Sequence, residues 1–165
     1  MKRTGIILSI LFILGVTLGA GIARADTTTI TITVTIQSLS ISVTTGGTWT
    51  ISTPQATSAT VTSSVITVQN TGNMSANLAL SVTDTTGGGA TLWTAGSAVN
   101  SNTFTLSQGA SSSGPWSNIV TVPSLATGLA AGATKDFYLQ LQLPSSVSGT
   151  GAHAAHTLTV TITSS

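Results

Sequence analysis

The sequence predicts an all-β domain, an antiparallel sandwich of seven to nine short strands, and three observations predict it. Apolar residues recur at every second position in several stretches, and no stretch shows a helical period. Clusters of Gly, Asn, Ser and Pro interrupt those stretches at intervals of roughly ten to twenty residues, the spacing of strands joined by turns. The stretches are rich in Thr, Val and Ile, whose branched side chains suit a pleated, half-buried surface. A disordered Ser/Thr-rich stalk would lack the recurring Ile, Leu and Val, and the chain has only four Pro.

The first 25 residues read as an export signal. Lys2 and Arg3 give a positive start, Gly5 to Ile22 is apolar, and Ala23-Arg24-Ala25 places small residues where a signal peptidase inspects the chain. A retained membrane anchor is the competing reading, because the apolar stretch approaches the length of a span. The polar, strand-like run that begins at once after Ala25 favours cleavage. No second apolar stretch follows, so the exported chain is expected not to cross a membrane.

The next element is a long N-terminal strand, residues 26–43. Ile30, Ile32, Val34 and Ile36 fall on one face and Thr31, Thr33 and Thr35 on the other. After Gln37-Ser38 the phase flips and Leu39, Ile41 and Val43 carry the apolar face, which requires a bulge or a change of sheet. Thr44 to Ala59 is a connector. Val61–Val68 is a strand that runs into the turn Gln69-Asn70-Thr71-Gly72-Asn73, and Leu78, Leu80 and Val82 alternate just beyond it. Val61–Val68 and Ala76–Val82 are therefore expected to be neighbours. Gly87-Gly88-Gly89 lies in a loop. Phe104 and Leu106 mark a short strand, Ser111 to Gly114 a loop, and Ile119 to Val122 another short strand closed by Pro123. Leu129 to Ala133 forms a turn into the clearest strand, in which Phe137, Leu139, Leu141 and Leu143 alternate with Tyr138, Gln140 and Gln142 up to Pro144. The last strand places His156, Leu158, Val160 and Ile162 on one face.

Two stretches carry a family resemblance. VITVQNTGNMSANLALSVTD and LAAGATKDFYLQLQLPSSVSGTGAHAAHTLTVTIT resemble the Ig-like sandwich modules of bacterial and archaeal surface proteins, a resemblance that covers about Val61 to Thr163. The region between Asp84 and Pro123 matches poorly, and turns of this kind suit any sandwich. More loosely, an exported sandwich with an early alternating strand is similar to the TasA-type and archaeal bundling-pilus subunits. That resemblance implies assembly by giving the N-terminal strand to a neighbouring subunit.

Composition narrows the function classes. Removing 25 of the 165 residues leaves 140, enough for one domain with a sizeable core. In that part Lys135 is the one cation and Asp26, Asp84 and Asp136 are the acids, a formal charge of −2. Such a surface offers nothing to nucleic acid and no basic patch to anionic lipid. No Cys is present, so stability must come from core, sheet and association rather than disulfides.

Sites of chemistry are scarce. His153 and His156 lack Cys or Glu co-ligands, and in a strand they face opposite sides, so no metal or other cofactor is expected. No Gly-x-Ser-x-Gly elbow occurs, and Gly87-Gly88-Gly89 lacks the Lys-Ser/Thr of a phosphate loop. Catalysis is not expected. Trp49, Trp93 and Trp116 lie in or beside loops, where they cap the core or stack on sugar rings. Asn73-Met74-Ser75 is an acceptor pattern for glycosylation at Asn73.

The most functional-looking element is the N-terminal strand. Long, β-prone and uncharged after Asp26, it would be an aggregation hazard as a bare edge. It pairs within its own sandwich or, by strand addition, completes the sheet of another copy, with Thr28, Ile30, Ile32, Val34 and Ile36 as the assembly strand. The expected product is a secreted or cell-surface, non-catalytic subunit of an extracellular fibre, pilus or matrix, whose partners are other copies of itself. The alternative is an adhesion module that binds cell-surface glycans through its loop Trp residues.

Overall fold

The computed structural model describes residues 36–53, 55–87, 91–149 and 155–165. The described residues are all-β, without a helix, and therefore without any helix long and apolar enough to cross a membrane. Twelve strand segments occur: β1 (Ile41–Thr45), β2 (Thr60–Thr62), β3 (Ile66–Asn70), β4 (Ala76–Val82), β5 (Thr86–Gly87), β6 (Thr94–Ala95), β7 (Thr103–Gly109), β8 (Trp116–Asn118), β9 (Ser124–Leu129), β10 (Thr134–Gln142), β11 (His156–Thr157) and β12 (Val160–Ser164).

Seven segments form one sheet along the path β1-β3-β10-β7-β6, with β2 beside β10 and β8 beside β7. Three form a second sheet, β12-β4-β9, and β11 pairs with β5. Every ladder is antiparallel except the two-residue β6–β7 pairing. One core draws on both larger sheets. Ile66, Val68, Phe104, Leu106, Phe137, Leu139 and Leu141 come from the first, and Ala76, Leu78, Leu80 and Leu125 from the second. The period-two pattern dictates this arrangement: on β10 Phe137, Leu139 and Leu141 are buried while Tyr138 and Gln140 are not. Each such Leu or Phe taken fully from water contributes roughly 1.5–3 kcal/mol.

Several expectations needed correction. Val61–Val68 is not one strand. It breaks at residues 63–65, where Ser63 replaces the regular ladder: its amide donates to the Leu139 carbonyl at 2.9 Å, and its Oγ accepts from the Leu139 amide at 2.9 Å. β10 thereby pairs with β2 and then with β3 along one edge. Nor are Val61–Val68 and Ala76–Val82 neighbours. β3 pairs with β1 and β10 and β4 with β9 and β12, so the turn at 71–75 carries the chain between sheets. Buried Asn70 makes that crossing by bonding the chain on both sides of it. The apolar face expected of Leu39, Ile41 and Val43 is reduced to Ile41, which packs on the core, whereas Leu39 and Val43 are exposed. The strand expected at Ile119–Val122 sits earlier, at β8. Asn118 Oδ1 accepts from the Val120 amide and the Asn118 carbonyl accepts from Val122, which curls those residues into a turn. β9 was not foreseen, because Ser124–Leu129 carries little alternation and only Leu125 of it is fully buried.

Candidate functional site

The N-terminal run enters the described structure at Ile36, and what holds it there is a local clamp. Thr71 and Gly72 amides both donate to the Ser40 carbonyl, at 2.9 and 3.1 Å, and the Asn73 amide donates to the Ser38 carbonyl at 3.0 Å. The Asn73 side chain doubles the contact: its Oδ1 accepts from the Ser38 amide at 2.7 Å and its Nδ2 donates to the Ile36 carbonyl at 2.6 Å. The side-chain amide thus acts as one more peptide unit and extends the β1–β3 ladder by a rung. Gly72 permits the approach, since a Cβ there would collide with the Ser38 carbonyl oxygen. Asn73 is exposed, and the nitrogen a glycan would occupy is the one bonded to Ile36.

Of the assembly strand, Thr28, Ile30, Ile32 and Val34 lie outside the described residues. Ile36 is 80% exposed, so the one described member of the run's apolar face is not in the core of its own domain.

The sheet edges differ in regularity. β1 is bulged between Val43 and Thr45, and the β4–β9 ladder shifts register twice. β8 and β6 are only three and two residues long. β12 alone is long and unbulged, running in continuous register from Val160 opposite Val82 to Ser164 opposite Leu78. Asn77 and Ser165 exchange both backbone hydrogen bonds, at 2.9 and 3.0 Å, and Thr83 donates to Thr159 at 3.1 Å. Antiparallel pairing alternates, so Thr159, Thr161, Thr163 and Ser165 turn their peptide groups toward β4. Val160, Ile162 and Ser164 turn theirs outward, where β12 has no neighbouring strand among the described residues. The side chains show the same incompleteness. Val160 and Ile162 face the core but stay half-buried, against 1% and 2% exposure for Leu78 and Leu80 one strand inward. No charged residue or Pro guards this edge.

The three Trp residues are half-buried. Trp49 packs on the core, and the Trp116 ring lies against the backbone of Gly109 and Gly114. Trp93 stacks on His156 with ring centroids 3.9 Å apart and planes 22° from parallel. Buried Thr85 fixes the pair: its Oγ1 accepts from the Trp93 amide at 2.8 Å and lies 3.1 Å from His156 Nδ1. The Trp93 Nε1 is buried without an acceptor. These residues, with Ile51, Leu143 and Leu158, line a cavity of about 480 Å³ that no Asp, Lys or Arg of the described residues enters.

The other titratable groups are dispersed. Asp84 Oδ1 accepts from the Ala95 amide, Asp136 Oδ1 accepts from Thr67 Oγ1, and His153 lies outside the described residues. Among the described residues no three His, Cys, Asp or Glu side chains converge. No protein-family model, no curated protein and no solved structure matches the chain.

Proposed function

We propose that the protein is a secreted, non-catalytic structural subunit of an extracellular fibre, pilus or matrix. Residues 1–25 are the cleaved signal, and residues 26–165 form a single Ig-like β-sandwich. Subunits join when the strand Thr28 to Ile36 adds to the sheet of another copy. The observation that carries the reading is Ile36: its backbone is anchored by Asn73 while its side chain is 80% exposed. The run that leads into Ile36 therefore has a fixed point of departure, and its one described apolar member is not buried at home. A head-to-tail exchange of this kind does not close on itself, so it propagates into a fibre. The near absence of charge suits it, because packed subunits do not repel one another. No cofactor is required.

The test is sedimentation of the secreted chain over a range of concentrations, with sequencing of its N-terminus. The reading expects a start at Asp26 and polymers of growing size. A stable monomer at every concentration would overturn it.

The cavity beside Trp93, lined by no Asp, Lys or Arg of the described residues, favours a second reading, an adhesion or carbohydrate-binding module. That reading expects sugar-dependent quenching of Trp fluorescence, lost on Trp93→Ala or Trp116→Ala.

A further inference from the structure

We infer that the outer edge of β12 is the surface that receives the incoming strand, and that its occupant is residues 28–36 of a second copy. The inference rests on the proposed fibre reading and adds the acceptor surface to it. Three observations converge on this edge. It is the only edge of the described sheets that is both long and unbulged, and bulges are a common device for blunting an edge against pairing. Among the described residues the outward peptide groups of Val160, Ile162 and Ser164 have no strand partner, a continuous row that an added strand would pair. On the core side Val160 and Ile162 are half-buried beside fully buried Leu78 and Leu80, so among the described residues the core is incompletely covered along this flank.

The proposed occupant matches in length, pattern and chemistry. Nine residues of strand extend about 30 Å, more than enough to span the five residues of β12. An added strand with Ile30, Ile32 and Val34 turned inward lays an aliphatic row beside Val160 and Ile162. Thr31, Thr33 and Thr35 then stand beside Thr161 and Thr163 on the outer face, the Thr–Thr pairing that sheets favour. Neither strand carries a charge that would oppose the contact.

The chain has no Cys, so the pairing is read directly by disulfide formation between two single-Cys copies. One copy carries Thr31→Cys, Thr33→Cys or Thr35→Cys. The other carries Thr161→Cys or Thr163→Cys on β12, or the decoys Thr44→Cys on β1 and Thr127→Cys on β9. Thr161 and Thr163 occupy the closer, non-hydrogen-bonded sites with respect to an added strand. The expected result is a mixed disulfide at β12 formed roughly tenfold or more faster than at either decoy, as fits a pair held at high effective concentration. As a second readout, Ser164→Pro removes an outward N–H without touching the β4 ladder, and slowed thread formation with an unchanged circular dichroism spectrum is expected. Threads that form normally while the disulfide favours Thr44→Cys or Thr127→Cys overturn the β12 assignment and leave the fibre reading standing. A chain carrying both Thr33→Cys and Thr163→Cys that closes on itself at high dilution overturns both, as does unmodified chain that forms no threads.

Discussion

Asn70 and Leu129, 59 residues apart, tie the two larger sheets together: Asn70 Nδ2 donates to the Leu129 carbonyl at 2.8 Å. Asn70 ends β3 and Leu129 ends β9. The same nitrogen donates to the Met74 carbonyl at 2.7 Å, and Asn70 Oδ1 accepts from the Gly72 amide at 3.0 Å. The side chain is 0% exposed and fully used, so it holds the turn that carries the chain from one sheet to the other.

Asn70→Ala leaves the Leu129 and Met74 carbonyls and one of the Gly72 contacts without that partner, at half-buried positions. Buried groups stripped of a partner cost about 1–3 kcal/mol each, with partial relief from water. The expected loss is about 2–4 kcal/mol, measured as a lower urea midpoint at constant slope. A loss within error of zero would mean that the crossing is held by something else.

Ser63→Ala tests the break between β2 and β3. The Ser63 hydroxyl is the acceptor for the Leu139 amide in a buried position, so its removal strands an N–H and is expected to cost about 1–3 kcal/mol. Ser63→Thr, which keeps the oxygen, should recover part of the loss. Equal stability of the Ala variant and the parent in chemical denaturation would contradict this role.

Gly72→Ala acts on the clamp and not on the core. The new methyl group meets the Ser38 carbonyl oxygen, and residues 36–40 must move away from the 71–73 turn. Hydrogen exchange at the Ser38 amide is expected to speed up by at least roughly tenfold, while the amides of β10 keep their protection. Unchanged exchange at Ser38 would show that the Asn73 contacts suffice without the close approach.

Trp93 carries a buried donor without an acceptor, which makes its substitution informative. Trp93→Phe loses ring volume but also removes the stranded N–H, and the two effects oppose each other. The expected stability lies within about 1 kcal/mol of the parent, whereas Trp93→Ala is expected to lose about 3–5 kcal/mol. A Phe variant as unstable as the Ala variant would place the value of Trp93 in its N–H after all.

Much of the β content was legible because burial follows alternation. Ala76–Val82, Phe104 with Leu106, the long run through Phe137, Leu139 and Leu141, and the closing run through Val160 and Ile162 all lie in strands. What alternation cannot reveal is which strand lies beside which. The turn after Val68 looked like a hairpin, yet it joins two sheets, because Asn70 is buried and bonded across both. Ser63 was equally silent: a hydroxyl standing in for a ladder bond has no sequence signature in a chain this rich in Ser. At the candidate site, the strand expected over residues 26–43 lies outside the described residues up to Thr35, and from Ile36 on it begins only at Ile41. The clamp at Asn73 was not legible, since Asn73-Met74-Ser75 reads as a glycosylation pattern and the bonds to Ile36 and Ser38 depend on tertiary placement. That β12 ends its sheet among the described residues was hidden for the same reason, as an edge is a property of neighbours.

The direct test of the account is negative-stain electron microscopy of the chain from Asp26 onward beside a version lacking residues 26–36. Long, regular threads are expected from the first and dispersed particles with an unchanged β-type circular dichroism spectrum from the second. Threads of the same form from the shortened chain would contradict the claim that this strand joins the subunits.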